Sequence, residues 1–121
     1  MKQTHILVVD DVEGIRVFVS LVLKRMGYDN VDTAAGAEEA LEKAINNQHD
    51  LILLDINMPP TSGLALLKEL RLCCPDSKVV MCSANNSDEN INTALNDGAE
   101  GFLVKPFTAV GLSGRLNRLG L

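Results

Sequence analysis

The sequence predicts an α/β domain in which helices cover both faces of a parallel sheet. Two observations lead there. Short apolar runs alternate with stretches of helical periodicity along the chain, and the best-defined runs end in a polar or charged residue. His5-Ile6-Leu7-Val8-Val9 and Leu51-Ile52-Leu53-Leu54 are also continuous rather than alternating, as strands covered on both faces are.

In chain order, the first run is a buried strand closed by Asp10-Asp11. A helix follows from about Gly14 to Met26, with Ile15, Phe18, Val22 and Met26 at helical spacing and Gly27 as terminator. Val17, Val19 and Leu21 make this helix apolar over more than one face. Val31 to Ala34 is a brief second strand. The second helix turns Ala37, Ala40, Leu41, Ala44 and Ile45 inward and Glu38, Glu39, Glu42 and Lys43 outward. Leu51–Leu54 is the central strand and ends at Asp55.

Met58-Pro59-Pro60-Thr61-Ser62-Gly63 is a turn that leads to a third helix with Leu64, Leu67 and Leu70 buried. Val79-Val80-Met81-Cys82 forms the fourth strand and ends at Ser83. The polar stretch at 85–88 opens a fourth helix through Ile91, Ala94 and Leu95, closed near Gly98. Phe102-Leu103-Val104 is the fifth strand, followed by Lys105-Pro106-Phe107. Thr108 caps a last helix with Leu112, Leu116 and Leu119 inside. Five strands alternating with five helices imply a doubly wound, three-layer arrangement. Periodicity leaves the strand order open.

Composition sets the outer limits. A chain of 121 residues, 46% of them hydrophobic, holds one compact domain, residues 1–121, with a core that needs no staple. Aromatic residues amount to 3%, too few for a stacking platform for single-stranded nucleic acid. The net charge of −5, without a dense Lys/Arg run, argues against direct nucleic-acid or anionic-membrane binding. Cys73, Cys74 and Cys82 form no disulfide framework, and no apolar stretch reaches membrane-spanning length. A cytoplasmic protein is expected.

The chemistry sits at the strand ends. In an open parallel sheet, sites form beyond the carboxyl ends of the strands. Asp10 and Asp11, Asp55, Ser83 and Lys105 all fall there. If the first and third strands are neighbours, three carboxylates converge, and their repulsion asks for a cation; an all-oxygen set suits Mg²⁺. A carboxylate is a feasible nucleophile toward phosphorus, Ser83 is a hydrogen-bond donor and Lys105 a mobile positive charge. His5 and His49 lie far from that end and read as structural or surface residues.

The acidic pair Asp10-Asp11, the stretch Leu53-Leu54-Asp55-Ile56-Asn57-Met58-Pro59, the step Ser83-Ala84 and Lys105-Pro106-Phe107 occur in order and at matching strand ends. Together they resemble the receiver domain of two-component response regulators, nearly end to end. The resemblance implies a flavodoxin-like sheet of order 2-1-3-4-5. It implies that Asp55 is phosphorylated by a sensor histidine kinase or a histidine phosphotransfer protein in an Mg²⁺-dependent reaction. Asp11 would be a direct Mg²⁺ ligand, Asp10 would help through water, and Asn57 would lend its backbone carbonyl. Lys105 would pair with the acceptor or the phosphate, its bond to Pro106 would be cis, and Ser83 would move toward the phosphoryl group. Phe102 falls where the family places an aromatic switch, though a lone strand aromatic is usually an ordinary core residue. Such a domain is not an enzyme proper: it assists its own phosphorylation and loses the group slowly.

Two departures from the family pattern stand out. Ser62 precedes Gly63 where Asp or Asn is common, and it still serves as a helix cap. Pro60 beside Pro59 stiffens the turn. Rival readings weaken on particular residues. A docking domain without phosphorylation would lack an acidic residue or Lys105. An Asp-nucleophile phosphohydrolase needs an acid–base Asp where Asn57 stands. A flavin site would not place Asp10-Asp11-Val12-Glu13 against a phosphate. The output is expected either from a downstream protein or from a C-terminal domain beyond Leu121; Met1 argues against a domain before it.

Overall fold

The computed structural model describes residues 2–84, 88–105 and 107–121. Five parallel strands, β1 (Lys2–Val9), β2 (Tyr28–Ala34), β3 (Leu51–Asp55), β4 (Lys78–Ser83) and β5 (Gly101–Val104), form one sheet in the order 2-1-3-4-5. Five helices alternate with them: α1 (Glu13–Arg25), α2 (Ala37–Asn46), α3 (Gly63–Cys73), α4 (Asp88–Asn96) and α5 (Ala109–Arg118).

Side-chain alternation along the strands divides the interior in two. Ile6, Val8, Leu51, Leu53, Val80 and Leu103 face α1 and α5, where Val19, Leu23, Leu112 and Leu116 meet them. Leu7, Val9, Ile52, Leu54, Val79 and Met81 face Ala40 and Ala44 of α2, Leu66, Leu67 and Leu70 of α3 and Ala94 of α4. This two-sided burial explains why β3 reads as an unbroken apolar run. Each such leucine contributes about 1.5–3 kcal/mol by leaving water.

The helix boundaries follow the expected chemistry. Gly27 ends α1 at φ +99°, a conformation that suits glycine. The Ser62 hydroxyl accepts from the Leu64 N–H at 3.1 Å, and the Thr108 hydroxyl accepts from the Gly111 N–H at 3.0 Å.

Several details differ from the sequence reading. β2 starts at Tyr28 rather than Val31, and β5 starts at Gly101. On α1 the fully buried residues are Val19 and Leu23, whereas Phe18 is 45% exposed. Because that helix is apolar around much of its girth, periodicity alone could not orient it. Ile45 and Leu95 also face outward, beyond the edge of the stripes led by Ala44 and Ala94. The turn after β3 contains a small antiparallel ladder, Asn57–Met58 against Thr61–Ser62. Pro106, and with it the expected cis bond after Lys105, lies outside the described residues, as does 85–87.

Candidate functional site

Strand register builds the site. Val9 pairs with Leu54, so the next residues, Asp10 and Asp55, emerge side by side from adjacent strands. Asp55 in turn pairs with Cys82, which sets Ser83 one residue further along the neighbouring strand. Asp10 and Asp55 are buried, Asp11 is exposed, and ligand atoms of all three carboxylates lie within 4.8 Å of one another.

Lys105 reaches in from the end of β5. Its Nζ donates to Asp10 Oδ2 at 2.5 Å and stands 3.3 Å from Asp55 Oδ1. The ammonium therefore bridges two carboxylates and leans toward Asp10. Burial pushes the Asp55 carboxyl above the ordinary carboxylate range, with Lys105 opposing and Asp10 adding to the rise. For Lys105, burial pulls its pKa down, yet the hydrogen bond to Asp10 and both negative charges outweigh that and hold it above its ordinary value.

Other contacts fix the cluster in place. Asp10 Oδ1 accepts from the Val12 N–H at 2.9 Å, and Arg16 donates to the Asp10 carbonyl at 2.7 Å. The Asn57 N–H points to Asp55 Oδ1 at 3.4 Å, a long and weak contact. Gly63 donates to the Ile56 carbonyl at 2.7 Å and packs directly on the backbone at the end of β3. A Cβ there would lie 2.0 Å from the Asp55 carbonyl oxygen. The sequence reading missed Arg16 and the reason for Gly63. The Ser-Gly pair opening α3 was the only local hint of the latter.

Ser83 is fully buried at the end of β4. Phe102 pairs with Met81, and Ser83 pairs with Val104, so Ser83 and Phe102 lie diagonally on one face of the sheet. Phe102 is partly buried against the core shared with α2, α3 and α4. Beside Lys105 opens an apolar cavity of about 390 Å³, lined also by Ile15, Phe18, Ala84 and Phe107. Val12, at the N-cap of α1, and Val17 and Leu21 within it are further exposed apolar residues.

His5 and His49 are at the other end of the sheet, where both reach Asp32. They take no part in the acidic cluster. No helix among the described residues is long and apolar enough to cross a membrane.

Residues 6–117 match the response regulator receiver domain, and the chain belongs to that family of two-component signalling modules. The chain is 34% identical to the chemotaxis protein CheY of Bacillus subtilis over 105 residues, 87% of this chain and 88% of that one. Among solved structures it is similar to CheY4 of Vibrio cholerae, with a TM-score of 0.91 and 36% identity, covering 97% of this chain and 98% of that one. It is also similar to a chain of the CheX–CheY–BeF3–Mg²⁺ complex of Borrelia burgdorferi, with a TM-score of 0.93 and 28% identity, covering 98% and 90%.

Proposed function

We propose that residues 1–121 are a single receiver domain in which Asp55 accepts a phosphoryl group from a histidine kinase or a histidine phosphotransfer protein. The observation that carries this reading is the environment of Asp55. It is a buried carboxylate at the end of the central strand, with Asp10 alongside and the Lys105 Nζ at 3.3 Å. A carboxylate raised by burial and a like charge has negative charge left to offset, which fits a bound cation. Asp10, Asp11 and Asp55 offer hard oxygen donors and Asn57 a backbone carbonyl, a set that suits Mg²⁺. When bound, Mg²⁺ would offset the charge shared by the carboxylates and the incoming phosphoryl oxygens.

In the transfer, an Asp55 carboxylate oxygen forms the new O–P bond while the donor's N–P bond breaks, its electron pair leaving with the imidazole. Lys105 moves from between the two carboxylates toward the new negative charge. Ser83 then donates to a phosphoryl oxygen, and Phe102, on the same sheet face, takes up the space released. The signal emerges on α4, β5 and α5, where Leu95, Val104 and Val110 are exposed apolar residues suited to a protein surface. The net charge of −5 favours a protein partner over direct nucleic-acid binding, and a cytoplasmic setting fits both donor and partner.

Intact-mass measurement after incubation with acetyl phosphate and Mg²⁺ tests the reading. Wild type should gain one phosphoryl group, and omission of Mg²⁺ or the Asp55→Ala change should abolish the gain. A wild-type mass that never changes, under conditions that phosphorylate a known receiver, would refute it.

A further inference from the structure

The chain has two histidines, at positions 5 and 49, and both converge on one oxygen. His5 Nε2 and His49 Nε2 each lie 2.9 Å from Asp32 Oδ2. The three residues come from β1, from β2 and from the segment before β3, so only the folded sheet brings them together. Their rings approach to 4.4 Å between centroids. This cluster is remote from the acidic one: His5 and Asp10 are separated by about 16 Å of extended strand at roughly 3.3 Å per residue.

The geometry points to a second metal site, in which His5, Asp32 and His49 take a divalent transition ion of the Zn²⁺ class through two imidazole nitrogens and one carboxylate oxygen. This inference is independent of the phosphoacceptor reading. Two nitrogens and one carboxylate are the borderline donors that Zn²⁺ takes and that Mg²⁺ does not favour. In a tetrahedral Zn²⁺ site, ligand atoms stand about 3.3 Å apart. The two observed 2.9 Å N···O separations thus need to open by only a few tenths of an ångström, and the two nitrogens lie within 4.8 Å of each other. His5 and Asp32 have that freedom, with side chains 28% and 32% exposed, and their contact with solvent would supply a water as fourth ligand.

His49 is the fixed wall of the site. Its side chain is wholly buried, its Nδ1 has no hydrogen-bond partner among the described residues, and its Nε2 is aimed into the cluster. The backbones behind the imidazoles are held as well. The His5 N–H donates to Asp50 Oδ2 at 2.9 Å, and the Ser77 hydroxyl donates to the His49 carbonyl at 2.6 Å. A ligating histidine ordinarily donates its second nitrogen to an acceptor, and loss of that partner costs roughly 10- to 100-fold in affinity. The site should therefore bind in about the micromolar range rather than more tightly. Occupancy would tie β1, β2 and the entry to β3 together and stabilise the fold.

The test uses the full chain and ZnCl₂, titrated in excess Mg²⁺ so that the hard oxygen site is filled. One equivalent should bind, should shift the ring C–H resonances of both histidines together and should raise the unfolding temperature. His5→Gln and Asp32→Asn, both at partly exposed positions, should each weaken binding at least about tenfold and remove the temperature rise. Co²⁺ should give the intense visible absorption of a tetrahedral site. The adjacent thiols of Cys73 and Cys74, 3.4 Å apart, are the rival ligands, and Cys73→Ser should leave the titration unchanged. Ring resonances unmoved by stoichiometric Zn²⁺, wild-type affinity in His5→Gln, or binding lost only in Cys73→Ser would each overturn the site.

Discussion

Gly63 offers a test of how tightly the carboxyl end of β3 is held. A methyl group at this position would meet the Asp55 carbonyl oxygen at 2.0 Å, the Ile56 Cα at 2.7 Å and the Asp55 carbonyl carbon at 2.8 Å. The first distance is roughly 1.4 Å inside ordinary contact, and all three atoms are backbone, so no side chain can rotate away. Overpacking typically costs about 1–3 kcal/mol, and replacing glycine with alanine at a helix start returns less than about 1 kcal/mol. Gly63→Ala should therefore lose about 2 kcal/mol or more, which lowers the urea midpoint by about 1–2 M for ordinary slopes. Gly114→Ala is the control, since a Cβ there meets nothing within 4 Å on α5. It should gain about 0.5–1 kcal/mol. Under conditions where Gly63→Ala remains folded, its phosphorylation should also slow, because the relief is a shift of Asp55 itself. A Gly63→Ala protein with the wild-type midpoint and rate would refute the close approach.

Three other perturbations follow from the site and its surroundings. Lys105→Met removes the cation that competes for Asp10 and Asp55, so calorimetry should find Mg²⁺ bound several-fold more tightly, worth about 1 kcal/mol, while phosphoryl transfer slows; unchanged affinity would mean that the ammonium is no counter-ion. Burial pushes the Cys74 and Cys82 thiols up to about 11 and about 12, whereas Cys73 is exposed. Native protein at mildly alkaline pH should then take up one equivalent of iodoacetamide rapidly, at Cys73, by peptide mapping. Asp55 holds its proton more tightly when folded, so its contribution to stability is full below its ordinary value of 3.8 and is lost as pH rises through the higher folded value. In metal-free buffer, urea titrations between roughly pH 4 and pH 6 should therefore show stability growing less with pH in wild type than in Asp55→Asn.

The parts legible in the sequence were those that local pattern encodes. Leu51–Leu54 read as a central strand because both its faces are buried, and the Ser62 and Thr108 caps read directly from residue type. The strand-end positions of Asp10, Asp55, Ser83 and Lys105 were visible for the same reason. The sheet order came from resemblance, since periodicity carries no neighbour information. What escaped depends on contacts between distant segments. The outward turn of Phe18 is set by α1 docking through Val19 and Leu23, which an all-round apolar helix does not announce. Lys105 favours Asp10 over Asp55 by 0.8 Å, a difference only side-chain placement decides. The convergence of positions 5, 32 and 49 arises from parallel pairing of β1 with β2 and β3, and no spacing along the chain foretells it.

The most direct test of the central claim is chemical mapping of the phosphorylated residue. An acyl phosphate is reduced by borohydride to an alcohol, which converts a phosphorylated aspartate to homoserine; an untouched carboxylate is unaffected. Wild-type protein treated with acetyl phosphate and Mg²⁺, then reduced and digested, should carry homoserine at position 55 and aspartate at positions 10 and 11. Homoserine at position 10 or 11, or none anywhere in a protein whose mass shows phosphorylation, would contradict the assignment of Asp55 as acceptor.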